Sequence, residues 1–368
     1  MAPGDGIQAT LEEWNTLTVA RFLASHGASA DWIRLYAAEN GTEIHGLGAL
    51  AWLVQSHLDF DWIATRYLDG GLDQLPRTLA AVVVGNGAPI RLNHVVRAVE
   101  QGRNGVRVTY RDACGDPRTL AADRVVCTVP FPVLRAKVDL RRARLPADKL
   151  RWIRTLQMTS AARISLQMKH RFWRDEGIEG LKLAATDIAA ERVWHSTNTQ
   201  AGQSGIVQAY LQADNALAAS AQKNKLRWVR DEIAALTFPL IRDEWNGRGV
   251  AKLWHEDQWA GGAWLSPKPH QFLQGFHTWG RAEGRIHFAG EHTSLYAGWM
   301  QGGHRVGPAR RLRGGRRSLI PASLGRDGDT ASPSQEVNRF ERSRIPCKQA
   351  LFRVECAVGC RGSDLGPA

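Results

Sequence analysis

The stretch Ile286-His287-Phe288-Ala289-Gly290-Glu291-His292-Thr293, continued by Tyr296-Ala297-Gly298-Trp299-Met300-Gln301-Gly302, is the most informative in this 368-residue chain. Residues 285–289 make a short apolar run of strand character that stops at a glycine. Beyond Gly290, the carboxylate of Glu291 is delivered past a strand end, where it can accept a hydrogen bond from a sugar-like hydroxyl. Gly298-Trp299-Met300 reads as the opening of a helix, whose first N–H groups lack intrahelical partners and favour an electron-rich ring oxygen. The same residues also read as a plain strand–turn–helix with a surface Glu and a core Trp. Both readings are open on the residues alone.

Upstream, the apolar period changes along the chain. Residues 10–68 have helical spacing, with Phe22 and Leu23 before Gly27, then Trp32, Leu35 and Tyr36, and a second region from Gly46 to Tyr67 holding Trp52, Leu53 and Trp62. Gly70-Gly71 breaks that pattern, and a short helix follows from Leu75-Pro76 to Val83. From Ile90 the period becomes two: Val95–Glu100 and Val106–Arg111 alternate around Gly102–Gly105, which predicts a hairpin. Arg124–Val129 is a nearly continuous apolar run and predicts a strand buried on both faces. Helices are expected at 145–156 and 214–238, and strands at 163–168 and 206–212. The fold class is therefore α/β in the broad sense, a mixed α+β chain without internal repeats.

Several further segments stand out. Gly70-Gly71-Leu72-Asp73-Gln74-Leu75-Pro76 pairs two glycines with a glutamine. Val95-Val96-Arg97-Ala98-Val99 is followed at a distance by Cys127-Thr128-Val129-Pro130. Gln258-Trp259-Ala260-Gly261-Gly262-Ala263-Trp264 closes a Trp-rich run beginning at Trp254. Taken in this order with 286–302, these segments resemble the FAD-dependent amine oxidases, the monoamine oxidase and L-amino acid oxidase family, over roughly residues 10–301. The resemblance implies a two-domain fold, with an FAD-binding sheet and a helical/β substrate domain. It implies that Glu291, after Gly290, holds the ribityl chain, and that the backbone at Gly298-Trp299-Met300 meets the pyrimidine end of the flavin. It places Gly70 and Gly71 beside the flavin, Gln74 on the cavity, a backbone group of Val96 at the adenine, and Trp259 in front of the ring. Trp264 and Trp299 become an aromatic pair flanking the approach, able to guide an amine by their ring faces; ordinary packing is the alternative for both. Ala263 stands where some relatives carry a flavin-linking cysteine, so the implied FAD is non-covalent.

Three departures from the family pattern qualify this. Arg163 occupies the position of a lysine that touches the flavin N5 through water, which keeps the charge but not a proton-exchanging point cation; a structural arginine is the alternative to a catalytic one. The family's opening strand and Gly-x-Gly-x-x-Gly are not found. Gly4-Asp5-Gly6-Ile7-Gln8-Ala9 fits that spacing but follows no strand, so the expected FAD-binding sheet is incomplete and this chain is expected to bind FAD weakly or not at all. After Gly302 the family's helix is replaced by Gly303-His304-Arg305-Val306-Gly307-Pro308-Ala309-Arg310. Codons for those residues, shifted by one base, permit Gly-Ala-Ile-Glu-Ser-Gly-x-Arg, so 302–368 reads as a frameshift-like, disordered tail.

The domain reading is accordingly 1–69 as the helical part of the substrate domain and 70–145 as the second FAD-domain block. Residues 146–270 supply the substrate-domain sheet and helices, and 271–301 the C-terminal flavin-binding segment. The formal charge is +12. Residues 302–368 contribute 12 Arg and 1 Lys against 3 Asp and 3 Glu, so most of the excess sits in the tail. That tail raises a nucleic-acid arm as an alternative function. Of the five cysteines, Cys347, Cys356 and Cys360 match no common zinc spacing, and no metal site is expected. Without a signal-like start, an 18-residue apolar run or a disulfide framework, the expectation is a cytoplasmic protein with no membrane contact. The resemblance implies oxidative deamination of a small-molecule primary amine or L-amino acid, with oxygen as acceptor and imine and hydrogen peroxide as products. An inactive fragment without bound FAD is the alternative reading. No nucleic acid is the leading expectation for partners, and a homodimer is compatible with the family.

Overall fold

The computed structural model describes residues 3–57, 68–175, 184–197, 200–236 and 239–305. Two units are distinguished, and the second contains residues 70–92 among those described. The first unit opens with α1 (Pro3–Thr16), α2 (Val19–Ser25), α3 (Ala30–Asn40) and α4 (Ala49–His57). Local chemistry starts two of these helices. The Thr18 hydroxyl accepts the Arg21 N–H, and the Ser29 hydroxyl accepts the Trp32 N–H, each satisfying one free donor of the first turn. Val19, Ala37, Ile44, Leu47 and Ala51 bury a small core between them. Gly4–Gly6 lies within α1, not in a strand-to-helix turn. The second unit carries α5 (Gln74–Gly85), which has no buried residue.

The next elements are β1 (Val95–Gln101), β2 (Val106–Arg111), β3 (Pro117–Ala122), β4 (Val125–Cys127), α6 (Phe131–Lys137) and α7 (Ala147–Thr155). The expected hairpin is present: β1 and β2 pair antiparallel with a bulge between Val96 and Ala98, and β3 extends the sheet. The apolar run Arg124–Val129 predicts a strand buried on both faces, and the structure differs. Only Val125–Cys127 is strand, Val126 is 42% exposed, and its described partner is β10 alone. A continuous apolar run cannot by itself tell a central strand from one with an open face.

A five-stranded sheet follows. It is built from β5 (Ala161–Met168), with α8 (Phe172–Asp175) after it, then β6 (Ala184–Ala185), β7 (Arg192–His195), β8 (Gly205–Gln212) and, after three helices, β9 (Trp245–Leu253), in the order β6-β7-β8-β5-β9. The expected 214–238 helix is two helices, α9 (Ala213–Ser220) and α10 (Lys225–Leu236), followed by α11 (Ile241–Glu244). Asn224 starts α10 afresh, since its side-chain oxygen accepts the Arg227 N–H. Alternation along β5 and β8 sends Ala162, Ile164, Leu166, Val207, Ala209 and Leu211 to one face. There they form a core with Ala216 and Ala219 of α9 and Val229 and Ile233 of α10.

The chain closes with α12 (Phe272–Trp279), β10 (Ile286–Phe288) and α13 (Met300–Arg305). β10 pairs parallel with β4, and both pack into a core with Phe131, Trp152, Leu156 and Trp279. The fully buried Lys149 closes the end of α12: its ammonium donates to the carbonyls of Thr278, Trp279 (2.8 Å) and Arg281 (2.9 Å). Among the described residues no helix is long and apolar enough to cross a membrane, and no three His, Cys, Asp or Glu side chains converge as metal ligands. Trp62 and Tyr67, the cysteines at 347, 356 and 360, and the tail from 306 onward lie outside the described residues.

Candidate active site

β10 delivers the 290–298 turn. Gly290 has φ 136°, and a Cβ there would lie 2.6 Å from His292 Cε1, so both backbone and space call for glycine. The His292 ring is buried edge-on to Phe131 at 4.8 Å. Burial, with the Lys149 charge nearby, pushes its pKa down to about 4, so the imidazole is neutral at pH 7. Glu291 follows directly. Its Oε2 accepts the Gly298 N–H at 2.8 Å and the Leu265 N–H at 3.3 Å. One carboxylate oxygen thus ties together the two segments that carry Trp264 and Trp299. The other oxygen, Oε1, is buried without a partner among the described residues. Burial raises the pKa of Glu291, against the two backbone N–H groups that lower it. A buried carboxylate oxygen left open beside two glycine turns fits a ligand hydroxyl, as on a ribityl chain.

The second half of the site is the sheet face opposite the helices. Register places Arg192 opposite Tyr210, Tyr210 opposite Arg163, and Arg163 opposite Lys252, so four side chains run across β7, β8, β5 and β9 in one row. Tyr210 sits between guanidinium groups, with Arg163 at 5.2 Å and Arg192 at 5.4 Å from its ring centre. Burial pushes its hydroxyl up to about 12, so it stays protonated. The Arg163 guanidinium forms no ion pair or hydrogen bond among the described residues and lies over the rings of Tyr210 and Trp194. Lys252 is paired with Asp257. Arg163, Ser165, Tyr210, Lys252, Ala263 and Trp264 are among the residues lining a pocket of about 310 Å³.

Trp264 reaches this pocket on the loop after β9. Mutual backbone bonds join Thr159 N–H to the Trp264 carbonyl (2.8 Å) and Ala263 N–H to the Thr159 carbonyl (2.9 Å). Its ring centre lies 6.2 Å from that of Tyr210, and its indole N–H donates to Glu43 at 3.4 Å. Among the residues singled out in the sequence, the structure brings Arg163 and Trp264 to one pocket. It brings Glu291 and Gly298 to the adjoining clamp, in which Gly298 has φ 83°. Trp299 and Met300 stand beyond that clamp, 36% and 61% exposed. Trp259 stands outside the pocket lining, exposed, with Lys137 Nζ 4.9 Å from its ring centre. Val96 lies at the β1 bulge against the second core. Gly70, Gly71 and Gln74 form a local turn in the second unit: the glycines have φ 85° and 105°, and Gln74 donates to the Gly71 carbonyl at 3.1 Å.

Sequence reasoning passed over Tyr210, Lys252, Arg192 and Glu43. The first could have been found, because alternation in 206–212 already separates Tyr210 from Val207, Ala209 and Leu211. β7 is only four residues long, too short for its period to be read, and Glu43 lies in a single turn of helix.

Residues 9–307 match the family described as flavin containing amine oxidoreductase. The chain is 33% identical to a mouse L-amino-acid oxidase over 238 residues, covering 63% of this chain and 36% of that protein. It is 28% identical to the flavin-dependent L-tryptophan oxidase RebO of Lentzea aerocolonigenes over 296 residues, 75% of this chain and 59% of that one. The chain thus spans between about a third and three fifths of these relatives' length. Among solved structures, a putrescine oxidase bound to putrescine superposes with a TM-score of 0.66 at 20% identity, covering 80% of this chain and 66% of that one. Cyclohexylamine oxidase from Brevibacterium oxydans gives 0.63 at 18%, with 80% and 66% covered. These two likenesses show the fold. With the match over residues 9–307, the chain belongs to the family of flavin containing amine oxidoreductases.

Proposed function

We propose that this chain serves the oxidation of an α-amino acid, with non-covalently bound FAD, and that the substrate carboxylate is read by the cationic row on the five-stranded sheet. The observation that carries the reading is Arg163: a guanidinium in the pocket with no ion pair among the described residues, flanked by Tyr210 and Lys252 and sharing with Trp264 a space of about 310 Å³. A guanidinium binds a carboxylate through paired N–H donors, whereas a second ammonium in the same place would be repelled. The names of the curated relatives, L-amino-acid oxidase and L-tryptophan oxidase, support the same class.

When bound, the flavin supplies two-electron oxidation of the C–N bond to an imine, with oxygen as the terminal acceptor and hydrogen peroxide as product. The chain's own residues bind and orient. Arg163 fixes the carboxylate end, Tyr210 offers a protonated hydroxyl, and Trp264 forms an apolar wall that keeps water from the amine. Glu291 Oε1 is the acceptor for a cofactor hydroxyl, with Trp299 and Met300 at the entrance of the following helix. Ala263 has no nucleophile for a covalent flavin link, which supports non-covalent binding.

The test is FAD uptake followed by absorbance, then hydrogen peroxide release from matched pairs: L-tryptophan against tryptamine, and L-phenylalanine against phenethylamine. The amino acid of each pair is expected to be turned over at least about tenfold more efficiently, as the loss of a charge-assisted bidentate contact implies. Preference for the decarboxylated amines would overturn the reading.

A further inference from the structure

Glu43 is a carboxylate that the proposed chemistry does not use. It lies in a single helical turn, Thr42–His45, between Gly41 and Gly46. That turn is held from two sides. The Thr42 N–H donates to Glu191 Oε1 at 3.2 Å, and the Thr42 hydroxyl donates to the Gln212 carbonyl at 3.0 Å. On the other side Gly48 N–H donates to the Pro267 carbonyl at 2.8 Å, on the segment that follows Trp264. Glu43 Oε1 accepts the indole N–H of Trp264, and Oε2 is buried with no partner among the described residues. Burial raises its pKa, while Thr159, Trp264 and the charges of Lys268 and Arg192 oppose the rise. A carboxylate removed from water and left half satisfied is a costly arrangement. It persists here on Trp264, a ring that lines the pocket together with Tyr210 and Trp254.

We propose that Glu43 is a positioning residue: its carboxylate holds the Trp264 indole by the N–H and so sets the plane of the aromatic wall facing Arg163 and Tyr210. Glu291 holds the same segment by its backbone, through the Leu265 N–H at 3.3 Å. Two buried carboxylates therefore clamp residues 264–265, one by the side chain and one by the backbone. The ring orientation is then a property of the protein before any ligand arrives. The inference rests on the reading that Trp264 walls the substrate pocket.

The experiment is NMR of the 368-residue protein labelled with ²H and ¹⁵N. It follows the indole N–H signals, with that of Trp264 assigned by its loss in Trp264→Phe. In Glu43→Ala the Trp264 signal is expected to shift and to lose protection from solvent exchange by about tenfold or more, as for loss of a hydrogen bond to a charged group. Glu43→Gln keeps a side-chain carbonyl acceptor and is expected to restore most of that protection. Should Glu43→Ala fail to fold, Glu43→Met, which keeps the volume, takes its place under the same criterion. A Trp264 signal unchanged in position and exchange when the carboxylate is removed would overturn the assignment. This readout needs neither flavin nor turnover. A failed substrate preference therefore counts against the pocket reading alone, and an unmoved indole signal against Glu43 alone.

Discussion

The two faces of the five-stranded sheet are made by alternate residues of the same strands, and they do opposite work. On one face Ile164, Leu166, Val207 and Leu211 are fully buried against α9 and α10, and no charge interrupts them. On the other, the cations Arg192, Arg163 and Lys252 share one row with the neutral Tyr210, and Arg163, Tyr210 and Lys252 line an open pocket. A row of cations gains little stability and costs some through repulsion. The comparison teaches that stability and the proposed recognition are separated here by the pleat, one residue apart, with the apolar face compensating for the polar one.

The largest effect should come from the apolar face. Leu166→Ala is expected to lower unfolding free energy by about 2–5 kcal/mol, from lost burial plus the cavity left in a packed core. Urea denaturation measures this, and a cost well under the lower bound would mean that the face is loosely packed.

Glu191, beside the start of β7, tests the border between the faces. Its carboxylate accepts the N–H groups of Thr42 and Gln212, yet burial pushes its pKa up to about 7. The folded state therefore holds a proton that the unfolded chain releases near the ordinary carboxylate value. The contribution is present at low pH and is lost as pH rises through about 7, amounting to something on the order of 3 kcal/mol across that window. Thermal unfolding of wild type and Glu191→Gln at several pH values should show the wild type losing ground between pH 4.5 and 7, and parallel curves would refute the assignment.

On the flavin segment, Glu291→Ala should weaken FAD binding in the flavin-loaded protein by about 1.5–3 kcal/mol, as for a charged hydrogen bond. Flavin fluorescence during titration reads this directly, and an unchanged affinity would place the cofactor hydroxyls elsewhere. The smallest change in stability is expected for Arg163→Met, within about 0.5 kcal/mol, because its exposed guanidinium makes no ion pair among the described residues. The same variant should raise KM for an amino acid about tenfold or more while leaving the matched amine unaffected. Equal effects on both substrates would blur the division between the faces.

Much of the fold was legible from local pattern. The hairpin at 95–111 and the strands at 161–168 and 205–212 follow from period two, and the helix at 147–155 from period 3.6. Where local pattern misled, the cause was tertiary. Arg124–Val129 shows a run typical of a strand buried on both faces, yet Val126 is 42% exposed while its neighbour Cys127 is buried, so one face of β4 is open. The 214–238 pattern continues through Asn224, while the first helix stops at Ser220 and the Asn224 side chain begins another. Two-residue β6 and four-residue β7 carry too few positions for any period to show.

The sequence by itself determined which residues alternate, where glycines permit turns, and that 286–302 has the pattern of a flavin-binding segment. Periodicity and backbone preference act over a few residues and can be read without the fold. Only the tertiary structure decided which alternate face meets helices and which meets a pocket. It also set the row Arg192-Tyr210-Arg163-Lys252, whose members come from four strands. The two clamps on residues 264–265 belong to the same class: Glu43 meets Trp264 across 221 residues of chain, and Glu291 meets Leu265 across 26. Such contacts depend on burial and on partners brought close by packing, and no spacing along the chain encodes them.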